Sequence, residues 1–128
     1  MSKYLLDTHT LLWMQDDNKL LSSTAKRILS DTSSQLFISI ASFWEIVIKS
    51  SLGKIQLDYT INELSEACTA TDIVILPIKI STLNQLKTLP SVHKDPFDRV
   101  IVATAIELDL QVITVDPNIR KYKIESVW

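Results

Sequence analysis

Apolar residues fall into four short continuous runs, separated by longer stretches with helical spacing. The runs are Tyr4-Leu5-Leu6, Leu36-Phe37-Ile38, Ile73-Val74-Ile75-Leu76 and Val112-Ile113-Thr114-Val115, each of strand length. Runs without polar alternation belong to strands covered on both faces, as in parallel sheets. A short fifth strand at an edge is predicted over 124–128. Between the strands, Thr8 is placed to cap a helix carrying Leu11, Leu12 and Trp13. Ser22-Ser23-Thr24 opens a second helix. A third covers 42–52, with Gly53, the sole glycine, where a C-terminal cap belongs. Thr60 and Glu63 make a capping-box pattern for a fourth. A fifth covers 81–86, and Pro117 starts a helical turn. The resulting order, β-α-α-β-α-α-β-α-α-β-α-β, predicts one α/β domain over residues 1–128. Its central, mostly parallel sheet has four to five strands flanked by helices on both faces.

The sixth helix is the most distinctive. In His93-Lys94-Asp95-Pro96-Phe97-Asp98-Arg99, Pro96 suits the first helical position and Asp95 the N-cap. Val100 to Ala105 is almost wholly apolar, so the helix should be buried on most of its surface. One acid would suffice for the cap, which leaves Asp98 without an explanation.

Three more acids occupy comparable positions. Ligands of open parallel sheets bind beyond the carboxyl ends of the strands. Asp7 follows the first strand, Asp116 the fourth, and Glu45 lies in the first turn after the second. Each also has a structural explanation. Asp7 suits a loop near a helix start, and Asp116 suits an N-cap before Pro117. Glu45 completes a Ser42-x-x-Glu45 capping box and stands four residues before Lys49, a favourable ion-pair spacing. Four acids on one rim repel one another unless something positive lies between them.

Composition narrows what that could be. With one cysteine, Cys68, and two histidines, His9 and His93, a metal site must rely on oxygen ligands, which favours Mg²⁺ or Mn²⁺ over Zn²⁺. The histidines read as surface or loop groups, and Trp13 and Trp44 as core or interface residues. A net charge of −2 argues against nucleic-acid binding by bulk electrostatics, so phosphate contacts would come from a few residues. Arg99, Arg120 and Lys121 are the candidates, with Lys123 read as a solvated charge. The single glycine excludes a glycine-rich phosphate loop. An acid interrupts the N-terminus before any long apolar run, which predicts a cytoplasmic protein without a membrane span.

Leu5-Leu6-Asp7-Thr8-His9, Trp44-Glu45, the stretch from His93 to Ala105 and Thr114-Val115-Asp116 together resemble a PIN domain. Within that superfamily the chain is similar to the VapC-type toxins of bacterial toxin–antitoxin pairs. The resemblance implies a compact PIN-like fold and a Mg²⁺- or Mn²⁺-dependent endoribonuclease. By position it implies Asp7 and Asp98 as metal ligands, Asp116 as a ligand directly or through water, and Glu45 as orienting water or a second ion. Asp95 stays open between cap and supporting acid. A small antitoxin that occludes the cleft is implied as partner, and a homodimer as the assembly. Two other readings compete. A phosphoacceptor domain, receiver-like or an aspartyl-phosphate phosphatase, also carries an Asp after its first strand, although the phosphatase would want an acid where His9 stands. A non-catalytic module would bind partners through Trp13 and Trp44.

Overall fold

The structure, a computed structural model, describes residues 2–128. Its elements follow the predicted order: β1 (Lys3–Leu6), α1 (Thr8–Gln15), α2 (Ser23–Ser30), β2 (Gln35–Ser39), α3 (Ile40–Ser51), α4 (Ile61–Ala70), β3 (Ile73–Leu76), α5 (Ile80–Lys87), α6 (Pro96–Leu108), β4 (Gln111–Ile113), α7 (Pro117–Arg120) and β5 (Ser126–Val127). The five strands are all parallel, in the order β3-β2-β1-β4-β5. From β1 the chain steps outward through β2 to β3, then crosses back to lay β4 on the other side of β1.

That reversal explains the two layers of helix. Right-handed crossovers running in opposite directions along a sheet land on opposite faces. Accordingly α1 to α4 pack on one face, where Leu6, Leu36, Ile38 and Ile113 meet Leu11, Ile28, Ile46 and Leu64. Helices α6 and α7 pack on the other, where Leu5 and Val112 meet Ile101, Val102 and Ile119. Leu5 and Leu6 are fully buried on opposite faces of the central strand, each contributing about 1.5–3 kcal/mol. Two-sided burial is why β1 reads as an unbroken apolar run.

Several local expectations are corrected. The cap of α1 is Asp7, whose side chain accepts from the Thr10 N–H; Thr8 is already helical. Helix α3 begins at Ile40 behind a Ser39 cap, so Ser42 is not a cap and its box with Glu45 does not form. Both lie inside the helix and are buried. Strand β4 ends at Ile113, three residues before Asp116. The Thr60–Glu63 box and the Asp95 and Asp116 caps form as expected, and Gly53 takes a left-handed φ of 73° just past α3. No helix among the described residues is long and apolar enough to cross a membrane.

Candidate active site

The topological reversal opens a crevice beyond the carboxyl ends of β1 and β4, where ligands settle in open parallel sheets. Asp7, Thr8, His9, Glu45, Lys49, Asp95, Asp98 and Asp116 line a single cleft there of about 60 Å³. The four acids singled out from the sequence therefore converge, and Asp95 joins them. A larger open groove, about 440 Å³, lies between α6 and residues 123–125, but it gathers no comparable set of charged groups.

Each acid is held by a different element. Asp7 leaves β1 and is almost fully buried. Its Oδ1 accepts from the Thr10 N–H at 2.8 Å and its Oδ2 from the Thr114 hydroxyl at 2.5 Å. Burial pushes its carboxyl above the ordinary range, against the pull of those hydrogen bonds. Glu45 is equally buried on α3. Its Oε1 accepts from the Thr8 hydroxyl at 2.6 Å and its Oε2 pairs with Lys49 Nζ at 2.7 Å. Asp98, in the first turn of α6, is pushed up to about 7. Burial is the main cause, and the charges of Asp95, Asp116 and Glu45 add to it, while a hydrogen bond with His93 works the other way. Asp95 Oδ1 accepts from the N–H groups of Phe97 and Asp98, and Asp116 Oδ1 accepts from that of Asn118. Both are thus caps and cleft-lining acids at once.

Lys49 opposes five carboxylates as the cleft's lysine. Its hydrogen bond to Glu45 raises its pKa most, burial works against that, and the charges of Glu45, Asp95 and Asp98 add to the rise. The sequence identifies it only as a pairing partner for Glu45. His93 lies in the loop before α6, as expected, but is partly buried there: Nε2 lies 3.2 Å from Asp98 Oδ2 and Nδ1 lies 2.9 Å from the Tyr122 hydroxyl. The one signal for it in the sequence is its place five residues before Asp98. Arg99 turns away from the cleft: its Nη1 donates to Pro90 O, His93 O and the Tyr122 hydroxyl. Arg120 and Lys121 stay exposed at the end of α7, one turn from Asp116. Trp13 is half-buried against Trp128 and His9, whereas Trp44 is 57% exposed, with Phe97 edge-on to it.

The donor set is carboxylate oxygen, which suits a hard divalent cation. Among the described residues no three His, Cys, Asp or Glu side chains close into a ready cage. The acids instead line the void together with Lys49.

The sequence pattern of the PIN domain matches residues 4–125, and the chain belongs to that family. It is 27% identical over 124 residues to Ribonuclease VapC22 of Mycobacterium tuberculosis, covering 96% of this chain and 94% of that protein. Among solved structures it superposes on VapBC2 from Rickettsia felis bound to a promoter DNA fragment with a TM-score of 0.71, at 10% identity over 98% of this chain and 97% of that one. DNA-bound VapBC from Salmonella typhimurium gives 0.67, at 16% identity over 99% and 98%. At these identities the two structures establish the fold.

Proposed function

We propose that the chain is a Mg²⁺- or Mn²⁺-dependent endoribonuclease acting in the cytoplasm as the toxin of a toxin–antitoxin pair. The observation that carries this reading is the convergence of Asp7, Glu45, Asp98 and Asp116 on one cleft at the sheet's switch point. The names of the relatives agree with it. Asp7 and Asp98 would hold the ion, with Asp116 reaching it directly or through water. When bound, a divalent cation there neutralises charge on a phosphodiester oxygen and lowers the pKa of water.

The chain's own groups supply the rest. Asp7 and Glu45 are fixed by the Thr114 and Thr8 hydroxyls, so neither carboxylate has to reorganise on binding substrate. Glu45 accepts a hydrogen bond from the attacking water and keeps its lone pair aimed at phosphorus. Lys49 offsets the acidic rim where an incoming phosphate would otherwise be repelled. Arg120 and Lys121 take backbone phosphates outside the cleft. Arg99 is a weaker candidate for that role, because its guanidinium is turned into the 90–93 loop.

A phosphoacceptor role fits Asp7 poorly. The position an aspartyl phosphatase needs acidic is His9, which is exposed. For the antitoxin, α3 presents Ile40, Trp44 and Val47 as an exposed stripe at helical spacing, with Phe97 beside it and the cleft one turn away. A short apolar segment seated there could place a basic side chain among the acids. The homodimer would use a separate face, for which exposed Ile80 and Leu83 on α5 are available.

The test is cleavage of end-labelled RNA by purified protein with Mg²⁺, with Mn²⁺ and with chelator. Cleavage should require the ion and vanish in Asp98→Asn. Equal activity in chelator, or in that variant, refutes the reading.

A further inference from the structure

Behind Asp98 runs a series of hydrogen bonds that the chemistry above leaves unused. Arg99 Nη1 lies 3.0 Å from the Tyr122 hydroxyl oxygen, which lies 2.9 Å from His93 Nδ1, and His93 Nε2 lies 3.2 Å from Asp98 Oδ2. Arg99 is held in place by Pro90 O at 2.9 Å, and Tyr122 is buried, its ring meeting that of His93 edge-on.

The direction of these bonds follows from what each group can do. Arginine has no acceptor, so Arg99 donates and the tyrosine oxygen accepts. The Tyr122 hydrogen then needs an acceptor of its own in a buried place, and the one within reach is His93 Nδ1. With Nδ1 accepting, the ring proton sits on Nε2 and points at Asp98. The opposite tautomer would make the tyrosine oxygen accept twice, strand its hydrogen, and set an unprotonated Nε2 against a carboxylate oxygen. We propose that Arg99, Tyr122 and His93 form a one-way hydrogen-bond chain that fixes the Nε2–H tautomer of His93. That tautomer holds Asp98 by Oδ2 and leaves Oδ1 for the cleft. Resting on the metal-nuclease reading, the proposal makes His93 and Tyr122 positioning residues for a metal ligand, and it gives Arg99 a role inside the protein. Outer partners of this kind orient a ligand and tune its strength.

Two measurements test the chain of bonds. The first is long-range ¹H–¹⁵N NMR of the histidine rings in the metal-free protein at pH 8.5, with exposed His9 as internal control. His93 should show a single Nε2–H form with a hydrogen-bonded Nδ1, and in Tyr122→Phe the Nδ1 signal should move toward that of a free acceptor nitrogen. A wild-type ring protonated on Nδ1, or an Nδ1 signal unmoved in Tyr122→Phe, overturns the proposal. The second is Mn²⁺ affinity measured without RNA. His93→Leu should weaken it by about 10–100-fold. His93→Gln, whose amide can still donate to Asp98, should recover most of that loss, and Tyr122→Phe should weaken binding by less than His93→Leu. Equal losses in the Leu and Gln variants overturn the proposal even if Tyr122→Phe does not fold. Wild-type protein that binds no Mn²⁺ refutes the metal reading instead, and the ring tautomer still decides the hydrogen-bond chain.

Discussion

Replacing Asp98 by asparagine should raise the stability of the metal-free protein while removing its activity. Lifting a carboxyl from 3.8 to about 7 corresponds to roughly 4 kcal/mol of preference for the neutral form. The cleft opens to water and the Asp98 side chain keeps 15% of its surface exposed, so screening cuts this to about 2 kcal/mol. The amide also forfeits the favourable placement of an anion in the first turn of α6, about 0.3–1 kcal/mol. The net gain, about 1–1.5 kcal/mol, should raise the melting temperature by about 3–6 °C. The sign depends on pH. A carboxyl whose folded pKa is raised binds more protons folded than unfolded, so its cost grows as pH rises from about 4 to about 7 and is complete above that. The advantage of Asp98→Asn should therefore be full at pH 8 and shrink at pH 5. Burial sets most of it, and the groups that face Asp98 and adjust it are Asp95, His93, Asp116 and Glu45. Melting curves of both proteins in chelator at the two pH values decide the matter. An asparagine variant destabilised to the same extent at both would refute burial of a charged Asp98 among other acids as the source of the cost.

Mg²⁺ should raise the melting temperature of the wild type, with the rise growing as the logarithm of the ion's concentration above its Kd, and the response should be lost in Asp7→Asn, as titration in a thermal-shift assay would show. Lys49→Met should destabilise by about 1–2 kcal/mol by leaving Glu45 buried without its partner, and adding Glu45→Gln should recover most of the loss in a double-mutant cycle by urea denaturation. Arg120→Ala with Lys121→Ala should weaken RNA binding and reduce the salt slope measured by filter binding; an unchanged slope places the phosphate contacts elsewhere.

The order of elements was legible because the first four strands are spelled in apolar residues, even edge strand β3 with its half-exposed Val74, and because Thr60, Asp95 and Asp116 cap helices by local rules. Local rules failed where two equivalent candidates stood close together. Asp7 and Thr8 can both cap α1, and what decides between them is Glu45, 37 residues away, which takes the Thr8 hydroxyl. Ser39 and Ser42 posed the same choice, and the helix starts behind Ser39, which leaves Ser42 and Glu45 buried within it. The acids could be gathered from the sequence because the rule about strand ends needs only the order of the chain. His93 could not, since its role depends on Tyr122, 29 residues further on.

The bond from Thr114 to Asp7 spans 107 residues, and β4 pairs with β1 only after every other helix pair has been laid down. Translation delivers these parts in sequence, at about 5–20 residues per second. A nascent chain that has emerged as far as α6 has Asp7, Glu45 and Asp98, but its first strand still has a bare edge, and the hydroxyl that orients Asp7 is unmade. The acidic cleft is thus completed only once β4 has emerged and paired with β1. For the ribonuclease proposed above, this order postpones competence until β4 and Thr114 have left the ribosome.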